Sequence, residues 1–155
     1  MERIFISLLV LLFSAISCLG QSVSANELNG TKWENVEGLQ RTMEFSVSKF
    51  TEKVSRINDT SRIVAHTRQY YISNNIPAVF DFTKVGKNTR TKGKYIVWYS
   101  EKRRMMEIDE VIYLSSDSMT LSRIFDYREI IGAHPGDKII TGYKKISTDQ
   151  GRANR

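Results

Sequence analysis

Cysteine is nearly absent from this chain. Of its 155 residues only Cys18 carries a thiol, so no disulfide can form within the chain, and the domain behind Cys18 must be held by packing alone. A thiolate nucleophile and a Cys-based metal site are excluded with it. Histidine occurs only as His66 and His134. Neither belongs to a His-x-x-x-His pair or an acidic triplet, so the expectation is no metal site. There is no Gly-x-Ser-x-Gly elbow and no phosphate-binding loop. Asp109 and Glu110 are neighbours in sequence and point to opposite faces of a strand, so they cannot work as an acid–base pair. No catalytic constellation and no cofactor site is expected, and the chain reads as non-enzymatic. Proline is limited to Pro77 and Pro135. No stretch carries a helical period of useful length, and no repeat, low-complexity block or linker divides the chain.

The one long apolar run is also short. Met1-Glu-Arg3 precedes Ile4 to Phe13, and small residues follow through Gly20. The run falls below the ~20 residues a spanning helix needs. A basic head, an apolar middle and a small-residue exit are the layout of a secretory signal peptide, here over 1–20. Two processing readings stay open. Ala15-Ile-Ser-Cys18 loosely matches a bacterial lipobox, with Cys18 lipidated and the protein attached to a membrane through it. The other is plain cleavage after Gly20 or Ala25, leaving a soluble protein. Either places the chain outside the cytoplasm, in the periplasm or cell envelope of a bacterium, with 21–27 as a short polar tether. Nucleic acid is then the least expected partner, although the net charge is +6. That charge suits anionic lipid or polysaccharide, or simply solubility. Nothing bears on oligomeric state.

The remainder reads as strand after strand. Met43, Phe45 and Val47 alternate with Thr42, Glu44, Ser46 and Ser48, the period-two mark of a half-buried strand. Phe50, Val54 and Ile57 begin another. Arg62 to Ile72 forms a long extended run, and Asn74-Asn75 a turn. Ile76 to Phe82 reads as a strand with Pro77 at its start. Val85 to Lys94 is a basic loop, and Tyr95 to Tyr99 an aromatic strand. Glu101 to Arg104 forms a hairpin tip. Met106 to Leu114 runs out with Met106, Ile108, Ile112 and Leu114 on one face. Met119, Leu121, Arg123 and Phe125 alternate next. Lys138 to Ile146 is the last strand, and 147–155 a polar tail. This is a single all-β domain. About eight antiparallel strands in meander order close into an up-and-down barrel, because closure removes exposed edges.

Four local patterns carry a resemblance. They are Leu28-Asn-Gly-Thr-Lys-Trp33, Met43-Glu-Phe45 with Lys49-Phe-Thr51, Tyr70-x-Ile72-Ser-Asn-Asn75, and Ile112 to Leu121. In this order they resemble the small bacterial lipocalin-like domains, over 28–146. The resemblance implies a lipocalin-like barrel whose floor motif is Gly30 and Trp33. Two residues separate that pair where the family has one, and the family's last-strand arginine is replaced by Lys144 and Lys145. Central-strand aromatics supply the candidate ligand-binding set, Trp98, Tyr70, Phe82 and Tyr113, with Trp98 expected to point inward. Inside a barrel they would line a pocket for a small hydrophobic or amphipathic ligand. The other reading makes them plain core. Lys84 to Lys94 and Lys102 to Arg104 bracket one strand and so belong to opposite ends of the barrel. The expected function is an exported lipocalin-like protein binding such a ligand. The alternative is a structural or interaction module of the cell envelope, with a filled core and a basic surface that contacts anionic lipid or polysaccharide.

Overall fold

The computed structural model describes residues 21–36, 40–56, 59–124 and 138–146. The expected signal peptide with Cys18, Phe125, His134 with Pro135, and the polar tail lie outside them. Eight strands follow in chain order: β1 (Lys32–Asn35), β2 (Gln40–Phe45), β3 (Lys49–Arg56), β4 (Asp59–Ser73), β5 (Tyr95–Ser100), β6 (Met105–Leu114), β7 (Ser118–Ile124) and β8 (Ile139–Ile146). Each pairs antiparallel with the next, and β8 pairs with β1, so the sheet closes as an up-and-down barrel. This is the fold the alternating pattern predicts.

Register determines which side chains enter the barrel. Trp33 lies opposite Met43, and Phe45 opposite Phe50. Tyr70 faces Trp98, and Val111 faces Leu121. Residues directly opposite share a face, so these buried side chains form one interior cluster with Ile96, Met119 and Tyr143. Aromatic edges knit the lower half. Phe45 meets Tyr70 at 5.6 Å and Phe50 meets Trp98 at 5.7 Å, both near perpendicular. The Tyr70 hydroxyl donates to the Ser46 carbonyl at 2.7 Å, closing the β2–β3 turn onto the core.

The lower end is stoppered by the segment expected to be a loose tether. Val23 is fully buried and pairs with Gly93. Ser24 caps a single helical turn, α1 (Ala25–Leu28), through a capping box with Glu27. Ala25 and Leu28 enter the core, and Lys92 holds Glu27 at 2.9 Å. The polar look of 21–27 conceals an alternation, Val23 and Ala25 inward, that is too short to stand out.

Two strand assignments need correction. Residues 76–82 are not a strand; they cross the outside of the barrel and end in a 3-10 turn at Phe82–Lys84, capped by Asp81. In β6 the inner face is Glu107, Asp109 and Val111, while Ile108 and Met106 pack outside with Tyr71, Val97 and Phe80. The register shifts between Val111 and Tyr113, so a bulge at Ile112 returns Leu114 to the inside. The sequence alternation puts Met106, Ile108, Ile112 and Leu114 on one face, and the bulge separates Leu114 from Met106 and Ile108.

Gly93 has no room for a side chain: a Cβ there would lie 2.5 Å from the Ser73 carbonyl oxygen. Gly30 instead has open space but a φ of +74°. Gly93→Ala is therefore expected to cost about 3 kcal/mol as overpacking against backbone, and Gly30→Ala about 1 kcal/mol as left-handed strain. Urea unfolding of the two variants checks the order, and a reversed order would contradict the floor geometry.

Candidate functional site

Above the aromatic layer the barrel interior changes character. Counting outward along the inner faces, Phe50 is followed by Glu52, Tyr70 is preceded by Arg68, Val111 by Asp109 and Glu107, and Leu121 is followed by Arg123. These charges occupy the same face as the core, two residues further along each strand. With Arg41 and Ser100 they make a second, polar layer.

The layer is built from ion pairs. Glu52, almost fully buried, sits between Arg41 Nε at 2.7 Å and Arg68 Nη2 at 3.0 Å. Asp109 is 3% exposed and accepts from the Trp98 indole N–H at 2.8 Å and from Arg123 through both Nε and Nη2. The other Arg123 terminal nitrogen reaches Glu107 Oε2 at 2.8 Å, and Arg103 stands 3.6 Å from the second Glu107 oxygen. Trp98 is the hinge between the layers: its edge meets Phe50, and the guanidinium carbons of Arg68 and Arg123 lie 4.5 and 4.7 Å from its ring centroid.

Burial and pairing act against each other on these groups. Burial pushes the Glu107 carboxyl above its ordinary range, and Arg123, Arg103 and Arg68 offset this only in part. Burial also works against the Arg123 cation, but Asp109 and Glu107 outweigh it and hold the guanidinium above its usual value. Burial raises the Tyr143 hydroxyl too, against the opposing pull of Arg41.

The polar layer opens into a cavity of about 220 Å³, bounded by Arg41, Glu52, His66, Arg68, Trp98, Ser100, Lys102, Arg103, Glu107 and Arg123. Five Lys or Arg side chains face two carboxylates across this lining, an excess of positive charge. Lys102 and His66 have no ion-pair or hydrogen-bond partner among the described residues. At the same end of the strands Val36, Ile63, Val64, Ile139 and Ile140 are exposed. Of these, Val64 and Ile139 lie on the inner face, opposite Val54 and Arg123, while Ile63 and Ile140 point outward.

The sequence candidates divide. Trp98 points inward and lines the cavity. Tyr70 is inside but below, sealed in the packed floor. Phe82 and Tyr113 do not reach the interior. Phe82 stacks on Phe80 and Tyr99 outside the barrel, and Tyr113 lies beyond the Ile112 bulge on the outer face, half exposed. Gly30 turns the chain into β1, where its N–H donates to the Phe45 carbonyl at 2.9 Å. Trp33 is buried, with its indole N–H donating to Thr31 Oγ1 at 2.8 Å. Lys145 lies opposite Trp33 in register, its ammonium 5.7 Å from the ring centroid, so a cation from the last strand does cover the floor tryptophan. Arg41, Glu52, Arg68, Glu107, Asp109 and Arg123 were missed, although their two-residue spacing from core positions is readable. No group of three or more potential metal ligands is found among the described residues. No family model matches the chain, and no curated protein or solved structure does either.

Two outcomes are expected. Arg123→Met strands Asp109 and Glu107 without their shared cation and should cost about 3–5 kcal/mol, whereas Lys138→Met, which removes the more exposed pair with Glu110, should cost under about 1 kcal/mol. Chemical denaturation of both variants checks the contrast. The second concerns pH. A carboxyl raised in the folded state favours folding below its unfolded pKa, and that contribution fades as pH rises from 4.5 through the raised value. The stability of Glu107→Gln relative to wild type should therefore move in favour of the variant as pH rises from 4.5 towards neutrality. Unfolding free energies across that window test the sign, and a shift towards the wild type would contradict it.

Proposed function

We propose that this protein is an exported, non-enzymatic barrel of lipocalin-like type that takes one small amphipathic ligand at its mouth, acidic group downward. The observation that carries this reading is the charged cavity over a packed aromatic floor. Five cationic side chains converge on a space of about 220 Å³, below the roughly 300–1,000 Å³ of ordinary ligand pockets. That volume suits a headgroup, and Val64 and Ile139, exposed on the inner face above it, offer surface for an apolar remainder.

Of the hydrophobic or amphipathic ligand expected from the sequence, two features favour the amphipathic form. The apolar half of the interior is filled by Trp33, Phe45, Phe50, Tyr70 and Met119. The faces of Trp98 are approached by guanidinium groups rather than left free for stacking. A non-enzymatic role is favoured by the state of the acids. Glu52, Glu107 and Asp109 are each tied to arginine, which leaves none of them free to act as a general base. The filled floor also suits a structural module of the cell envelope, and one titration separates the two readings.

Calorimetric titration with a medium-chain carboxylate and with the alcohol of equal chain length is the test. The carboxylate is expected to bind at one site and the alcohol far more weakly. Lys102→Ala/Arg103→Ala should weaken the carboxylate by about ten-fold, or ~1.4 kcal/mol. Arg103 is 62% exposed, so the pair can be removed without disturbing the core. A folded protein that binds neither compound would overturn the proposal in favour of the structural module.

A further inference from the structure

The outside of the barrel carries a second feature, independent of the mouth. The connection over 76–94 leaves the lower end of β4 and climbs the outer face of β4 and β5. It returns to the lower end at Tyr95. Phe80 anchors it, with ring centroids 5.1 Å from Tyr71 and 5.4 Å from Tyr99. Asp81 caps the 3-10 turn through the Thr83 N–H at 3.0 Å. Lys84 lies over the Tyr71 ring at 5.6 Å. The connection is thus fixed to the sheet by several contacts. Even so, it presents large apolar side chains to water: Val79 is 74% exposed, Phe82 56% and Ile76 55%. Burying Phe80 stabilises the fold, but leaving these three outside does not.

Charge on the same connection is one-sided. Lys84, Lys87, Arg90, Lys92 and Lys94 stand against Asp81 alone, which makes 76–94 responsible for +4 of the chain's +6. Lys92 is engaged by Glu27, while Lys87, Arg90 and Lys94 have no ion-pair partner among the described residues. On the same connection Lys84, Lys87 and Asn88, with Asn74 and Thr91, line a cavity of about 210 Å³, wide enough for a phosphate group.

The geometry points to a docking surface for an anionic lipid bilayer, with Ile76, Val79 and Phe82 entering the headgroup boundary and the lysines meeting lipid phosphates. A polyanionic sugar would satisfy the cations but offer nothing for the three apolar side chains, whereas a bilayer supplies both. The surface acts without an acyl chain on Cys18 and regardless of what the mouth binds.

The test is co-sedimentation of the full chain carrying Cys18→Ser, left to its own processing. Vesicles of phosphatidylcholine with phosphatidylglycerol are compared with phosphatidylcholine alone. The protein is expected to pellet with the anionic vesicles at low salt. Release is expected near 1 M salt, where the screening length falls to about 3 Å. Val79→Ser/Phe82→Ser and Lys87→Glu/Arg90→Glu should each lower partitioning by roughly ten-fold or more, with a thermal melt of the first showing that losing the Phe82 contacts with Phe80 and Tyr99 leaves the barrel folded. Phe82→Trp should show a blue-shifted emission on adding the anionic vesicles, an insertion signal that does not depend on the loss-of-binding variants. Equal binding to both vesicle types, binding that survives both double substitutions, or no binding at low salt would each overturn the proposal. So would a change of oligomeric state in Val79→Ser/Phe82→Ser, which would assign the patch to a second copy of the chain.

Discussion

The structure turns on Asp109. This buried carboxylate accepts from the Trp98 indole and from Arg123, and it lies where the interior passes from apolar to charged. An isolated carboxylate at that depth would cost several kcal/mol. Its two partners offset that cost and are themselves placed by it. Trp98 is held with its edge on Phe50 and its ring beneath two guanidinium groups. Arg123 is held so that its remaining nitrogen reaches Glu107. One hydrogen-bonded charge thus sets the level to which the barrel is filled.

Below that level the protein behaves as a solid core, and above it as an electrostatic cup. The floor needs no disulfide, because α1, Val23 and the Gly93 bridge stopper it while Trp33, Leu28 and Met119 fill it. The cup is costly to build. Three carboxylates and three arginines are taken largely out of water, and an apolar replacement would often serve stability as well or better. The proposed ligand supplies a reason for this expense: pre-set cations around a small cavity can receive an acidic group without reorganising. The outer connection follows the opposite economy, with apolar side chains left in water on a rigid, basic support. Mouth and outer face are thus separate surfaces with separate proposed partners.

Much of this fold was legible in the residues. Alternation at Met43, Phe45 and Val47, turn chemistry at Asn74-Asn75 and strands joined by hairpin-length turns implied a closed meander, and the inward direction expected of Trp98 agrees with its burial. The site was less legible, for physical reasons. Glu52, Arg68, Glu107, Asp109 and Arg123 share the face of core residues by spacing, Arg123 visibly so beside Met119 and Leu121, but their charge argues for solvent when each strand is read alone. Only pairing across five strands neutralises them and makes an inward orientation tolerable. A single bulge at Ile112 puts Leu114 on the face opposite Met106 and Ile108, where simple alternation joins them. Residues 76–82 have the composition of a strand, but they have no edge to pair with, since β4 and β5 already pair with each other. Val23 and Ala25 are too few to announce a buried segment, and their burial depends on a partner as remote as Gly93.

The barrel is filled up to Trp98, and the proposed acidic ligand enters only above that level. Amide and indole chemical-shift mapping during addition of a medium-chain carboxylate tests this most directly. Saturable shifts are expected at the Trp98 indole N–H and at Arg68, Ser100, Lys102 and Arg103, with the Trp33 indole and Met119 unmoved. Saturable shifts centred on Trp33 and Met119, or shifts scattered over the outer face with the Trp98 indole unchanged, would contradict it.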